Sequence, residues 1–178
     1  MNDHLPENTF LNIVVSFAIA KDFKAIDQLI DQYLKKVPFE HQEQTKNLTL
    51  AFKYFHQAAF QKAYDLIRNF KESTIHYKLR TRLLKLRCLY EIQLTDHRFH
   101  PTLLYEINAY ESLFKREYQI AENSAEMYLN FSEALRTIIH RNTKKPISKI
   151  KTEILKKLAA YETLVARKWL VEKVNQLT

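Results

Sequence analysis

The sequence predicts an all-α fold of stacked antiparallel helical hairpins followed by further C-terminal helices, and three observations predict it. The 178 residues contain no glycine, where average usage would give about 12. The same apolar template recurs 37 positions apart, and the four prolines fall between helical stretches rather than inside them. Glycine supplies left-handed backbone and phosphate-cradling loops, so a chain without it has set aside most loop-built active sites.

Each helix follows from 3.6-residue apolar spacing bounded by punctuation. Helices are expected over residues 8–20, 23–36, 41–57, 60–71, 75–93, 101–116, 121–142, 147–161 and 164–176. Pro6, Pro38, Pro101 and Pro146 precede or open four of them, since proline suits a first helical turn and breaks an interior. The short links require antiparallel neighbours. The first helix, Phe10 to Ala20, reads as apolar almost all round, which calls for a cover: upstream repeats, a second copy in a homodimer, or the C-terminal helices folding back. In the fifth, Leu79, Leu83, Leu86 and Tyr90 share one face and Thr81, Leu84, Cys88 and Ile92 lie opposite, so it is expected to be covered on two sides. Its basic edges, Lys78/Arg82/Lys85 and Arg80/Arg87, then emerge at the rims. Trp169, with Leu170, Val174 and Leu177, is expected to dock the last helix into the core.

Shifting the sequence by 37 sets Ile13 on Leu50, Phe17 on Tyr54, Phe23 on Phe60, Ile26 on Ala63, Leu29 on Leu66, Ile30 on Ile67 and Tyr33 on Phe70. A weaker third copy sets Leu103, Leu104 and Ile107 against Leu66, Ile67 and Phe70, with Tyr90 one position out of register against Tyr54. A fixed period of this length marks a solenoid. Leu50, Ala51, Tyr54, Phe55, Phe60, Ala63 and Ile67, with Asp22-Phe23 in the first copy, give the chain a pattern that resembles the tetratricopeptide (TPR) family. Departures are Val14 at the small position of helix A, Lys21 or Ala58 at the turn glycine, and Ile26 or His100 at the second-helix alanine. The tail from Ala166 to Lys173 is similar to the end of bacterial TPR-like proteins. The resemblance implies a right-handed superhelix that binds proteins, without catalysis or a cofactor. On this reading residues 8–116 are TPR-like hairpins and 121–178 C-terminal helices of one domain, the last part of a longer protein.

Composition bounds the function classes. Hydrophobic residues make up 46% of the chain, enough for a continuous core. One cysteine excludes an internal disulfide and suggests a cytoplasmic protein. The longest apolar run covers 11 positions, interrupted by Asn12 and Ser16, too short to span a bilayer. The net charge of +8 is uneven, residues 1–66 holding 7 basic and 8 acidic groups and residues 67–178 holding 21 and 12.

Candidate chemistry is sparse. His97-Arg98-Phe99-His100, with His76 or Cys88, is the nearest approach to a metal site, but it lies in a turn where a polar cap before a helix is ordinary; no metal is expected. Cys88 reads as a small buried hydrophobe, and the pairs Glu122/Glu126 and Glu106/Glu111 as solvated surface. No catalytic residue is assigned. The expected function is therefore a non-enzymatic scaffold for a protein or peptide partner, acidic by complementarity, on a concave surface with Tyr54 and Tyr90 as contacts and Lys78, Arg80, Arg82, Lys85 and Arg87 at its rims. The alternative is RNA binding along those basic edges. A second patch, Arg136, Arg141, Lys144, Lys145, Lys149 and Lys151, reads as a solvated, mobile linker around Pro146.

Overall fold

The computed structural model describes residues 5–70, 74–116, 122–141 and 144–178, without the side chains of His76, Lys115, Arg116 and residues 122–124. Among the described residues the chain is all-helical: α1 (Glu7–Ala20), α2 (Phe23–Tyr33), α3 (Phe39–His56), α4 (Phe60–Ile67), α5 (Ile75–Gln93), α6 (His100–Arg116), α7 (Glu122–Ile139), α8 (Ile147–Ala160) and α9 (Arg167–Asn175). Single 3-10 turns, Leu34–Lys36 and His97–Phe99, follow α2 and precede α6. No helix among them is long and apolar enough to cross a membrane. The chain divides into two compact units, Met1–Glu106 and Ile107–Thr178, with the division inside α6.

In the first unit each helix packs on its next or next-but-one neighbour: α1 on α2 and α3, α2 on α3, α3 on α4 and α5, and α4 on α5. Phe10, Leu11 and Val14 of α1, Ile26 of α2, Leu48 and Ala51 of α3, Ala63 and Ile67 of α4 and Leu84 and Leu89 of α5 are fully buried between them. Tyr77 joins α5 to α3 through a buried hydroxyl bond with Thr45.

The 37-residue shift is written in the backbone as well as in the side chains. At the end of α1, Asp22 N–H donates to Phe17 C=O (2.9 Å) and Lys21 N–H to Ala18 C=O (3.1 Å). At the end of α3, Ala59 N–H donates to Tyr54 C=O (2.9 Å) and Ala58 N–H to Phe55 C=O (3.0 Å). Both are Schellman closures, which need a left-handed residue just past the helix; Lys21 and Ala58 supply it, each with φ 58°. The two positions where the family pattern expects glycine thus keep glycine's backbone without glycine. Asp22 then caps α2, its carboxylate accepting from Ala25 N–H (3.0 Å), whereas Ala59 gives α4 no side-chain cap. The weak third copy lacks this junction: α5 runs out through Leu94 in right-handed geometry.

The first helix corrects its sequence reading. Thr9, Asn12, Ser16 and Ile19 form an exposed stripe, and Ile19 alone is large and apolar in it, 62% exposed. The opposite face, Phe10, Leu11, Val14 and Ala18, is covered by α2 and α3, so most of its cover comes from its own neighbours.

In the second unit α7 packs on α8 and α9, and α8 on α9. Trp169 docks as expected, buried with its ring centroid 6.1 Å from that of Phe131. Tyr110 is fully buried and meets Phe114, Tyr128 and Phe131 at 5.1–6.4 Å; its hydroxyl has no hydrogen-bond partner among the described residues. The last helix starts three residues later than the expected 164 because the preceding link is held open. Asn130 donates to Thr163 C=O (2.9 Å), and Ala166 turns the chain with φ 53°. Arg167 then donates to Leu158 and Tyr161 C=O, serving carbonyls that the end of α8 leaves without helical partners.

Candidate binding surfaces

The basic edges of α5 are built into the first unit. All five cations are half-buried. Arg80 donates to Asn12 Oδ1 of α1 (2.6 Å). Lys85 Nζ lies 3.6 Å from Glu106 Oε1 and donates to Arg68 C=O (3.4 Å). The Arg87 guanidinium carbon stands 4.2 Å from the centroid of the Phe55 ring, a cation–π contact of about 0.5–2 kcal/mol. Lys78 and Arg82 have partners within the chain as well. Tyr90 is 3% exposed and belongs to the core, while Tyr54 is half-buried on α3. A helix covered on two sides brings its edges against its neighbours, so these seven residues do not line one open groove.

Cys88 is fully buried, and burial pushes its thiol up to about 12, so it stays protonated at neutral pH. His100 Nδ1 lies 3.3 Å from Gln93 Oε1, and His97 is exposed in the turn. Among the described residues no three His, Cys, Asp or Glu side chains gather to hold a metal; the His76 and Glu122 side chains lie outside that description. Glu106 faces Lys85, and Glu111 accepts from Arg136 (2.8 and 3.1 Å).

What the first unit does offer is apolar surface. Phe39 is 87% exposed, Tyr105 70% and Leu94 50%. A cleft of about 680 Å³ lies between the α3–α4 turn, at Ala58 to Phe60, and the end of α5, at Ile92 and Leu94.

The second basic patch is not a free linker. Pro146 opens α8, Lys145 Nζ donates to both Glu153 carboxylate oxygens at 2.9 Å, and Lys151 Nζ donates to Asn175 C=O at the end of α9 (2.8 Å). Lys157 reaches Glu133 (2.8 Å), and that hydrogen bond holds the Glu133 carboxyl below its ordinary range. Between the end of α7 and α8 lies a cleft of about 310 Å³ with His140, Arg141 and Lys145 at its mouth and Ile150 and Ile154 as its wall. The run from Arg136 to Lys157, with eight basic residues and one acidic, is visible in the sequence as a concentration of positive charge, but His140 within it is not singled out there.

No family model matches the chain, and neither does any curated protein or solved structure with which it was compared.

Proposed function

We propose that this chain is a non-enzymatic protein–protein interaction scaffold, a TPR-like stack of helical hairpins that binds a peptide or protein partner in the cytoplasm. The observation that carries the reading is the recurrence, 37 residues apart, of one helix–turn–helix unit with the same left-handed junction and the same hydrogen bonds. Neighbour-on-neighbour packing of α1 to α5 agrees with it, because a repeat unit buries its apolar face only against the next. The contact surface is better sought at the exposed aromatic and aliphatic groups Phe39, Leu94 and Tyr105 than at the α5 cations, since large apolar side chains anchor interfaces. The net charge of +8 favours an acidic partner. RNA binding along α5 has less support, because Arg80, Lys85 and Arg87 are already used inside the chain.

The test is affinity capture with the full chain from its native cell, beside a Phe39→Ser/Leu94→Ser/Tyr105→Ser variant with unchanged helical circular dichroism. The reading expects a defined set of proteins enriched by the wild type and lost by the variant. Identical capture by both, or binding to generic RNA that falls steeply with salt, would overturn it.

A further inference from the structure

We propose that the cleft between the end of α7 and α8 is a binding site for a phosphomonoester-class dianion carrying a small apolar body. It is independent of the scaffold reading, since it lies wholly in the second unit. His140 is exposed, and its ring has no partner among the described residues. Arg141 lines the cleft and donates through Nη1 to Ile138 C=O (3.3 Å), and a guanidinium fork matches phosphate oxygens in pairs. Lys145 completes the mouth, and its ammonium is held by two equal 2.9 Å contacts to Glu153. That carboxylate is the chain's own stand-in for a bidentate anion. It is more than half exposed, so it can swing into water when a ligand with greater charge takes its place. Ile150 and Ile154 are buried side chains that wall the same cleft, which suits an organic phosphate better than the bare ion. The surrounding segment, eight basic residues against one acidic from Arg136 to Lys157, raises the local concentration of anions.

A phosphomonoester reaches such a cleft either as a small organic phosphate or as a phosphorylated side chain of another protein, and one titration separates them. The full chain, isotopically labelled, is titrated at constant ionic strength with phenyl phosphate, inorganic phosphate and a phosphoserine pentapeptide, and amide shifts are followed by NMR. Saturable shifts confined to the ends of α7 and α8 are expected, with inorganic phosphate the weakest of the three. Phenyl phosphate as the tightest ligand identifies the small-molecule source, and the peptide as the tightest identifies the protein source. Glu153→Gln is expected to tighten binding about thirtyfold, the worth of removing one unit charge about 4 Å from a dianion in a water-like dielectric. Lys145→Ala weakens it by about the same factor, and Lys149→Ala, outside the cleft, leaves it within about twofold. Absence of saturable shifts with all three probes would overturn the site. So would an unchanged or weaker affinity in Glu153→Gln, or equal losses in Lys145→Ala and Lys149→Ala.

Discussion

Replacing Ala58 by glycine should stabilise the protein, although the same exchange in a helix does the opposite. Ala58 is exposed and sits just past α3 with φ 58°, where an L-residue brings Cβ against the carbonyl and loses about 1–2 kcal/mol. Glycine removes that strain and keeps the closing bonds from Ala58 and Ala59 N–H to Phe55 and Tyr54 C=O. It also frees the unfolded chain, which returns about 0.4–1 kcal/mol. The difference is a gain of about 0.5–1 kcal/mol. Lys21→Gly, at the matching position 37 residues earlier with the same φ, should gain a similar amount, and the double variant about the sum. For a chain of this size that sum raises the melting midpoint by about 2–8 °C. The control is Ala159→Gly, also exposed but inside α8, which should lose about 1 kcal/mol. Urea unfolding followed by circular dichroism at 222 nm reads all four proteins. If Ala58→Gly and Ala159→Gly were destabilised alike, the left-handed junction, and with it the structural equivalence of the two hairpins, would be refuted.

Three further outcomes follow from the packing. Trp169→Ala should cost about 3–5 kcal/mol, since it empties a buried aromatic site beside Phe131; an unchanged urea midpoint would mean that α9 is undocked. Tyr110→Phe should be neutral or stabilising by about 1 kcal/mol, because it deletes a buried hydroxyl without a hydrogen-bond partner among the described residues and leaves the ring contacts in place; a loss above that size would reveal a partner for the hydroxyl. Burial raises the phenols of Tyr64, Tyr77 and Tyr110 above 10, and that of Tyr161 to about 12. The folded state therefore favours the neutral phenol. This stability is complete below pH 10, the unfolded value, and is lost as pH rises above it, through about 12 in the case of Tyr161. Absorbance at 295 nm should show these phenols ionising together with loss of helix, and complete tyrosinate formation near pH 10 with the helices intact would count against it.

Local rules made most of the fold legible. Proline placement and apolar spacing located every helix to within a few residues, because both act within one or two turns. The 37-residue shift also held the junctions, since it set Lys21 on Ala58 at the position where the family pattern has glycine, and both proved left-handed. What escaped depends on tertiary neighbours. Arg80 and Asn12 are 68 residues apart, and no helical wheel shows that a cation on one helix will reach an amide on another. The sequence puts Tyr90 both on a face of α5 that should be covered and among the contacts of a concave surface, and only its burial separates the two. The cleft at the end of α7 was hidden for a different reason. A run of like charges reads as solvated, and only the return of Glu153 onto Lys145 reveals that the run is folded into a shape.

Cys88 has a practical consequence. The chain's sole thiol is sealed inside α5, fully buried and held protonated, so oxidants and alkylating reagents meet it only when that helix parts from its surroundings. Its modification rate is therefore a clock for transient opening of the amino-terminal unit, wired into the native sequence and needing no engineered label.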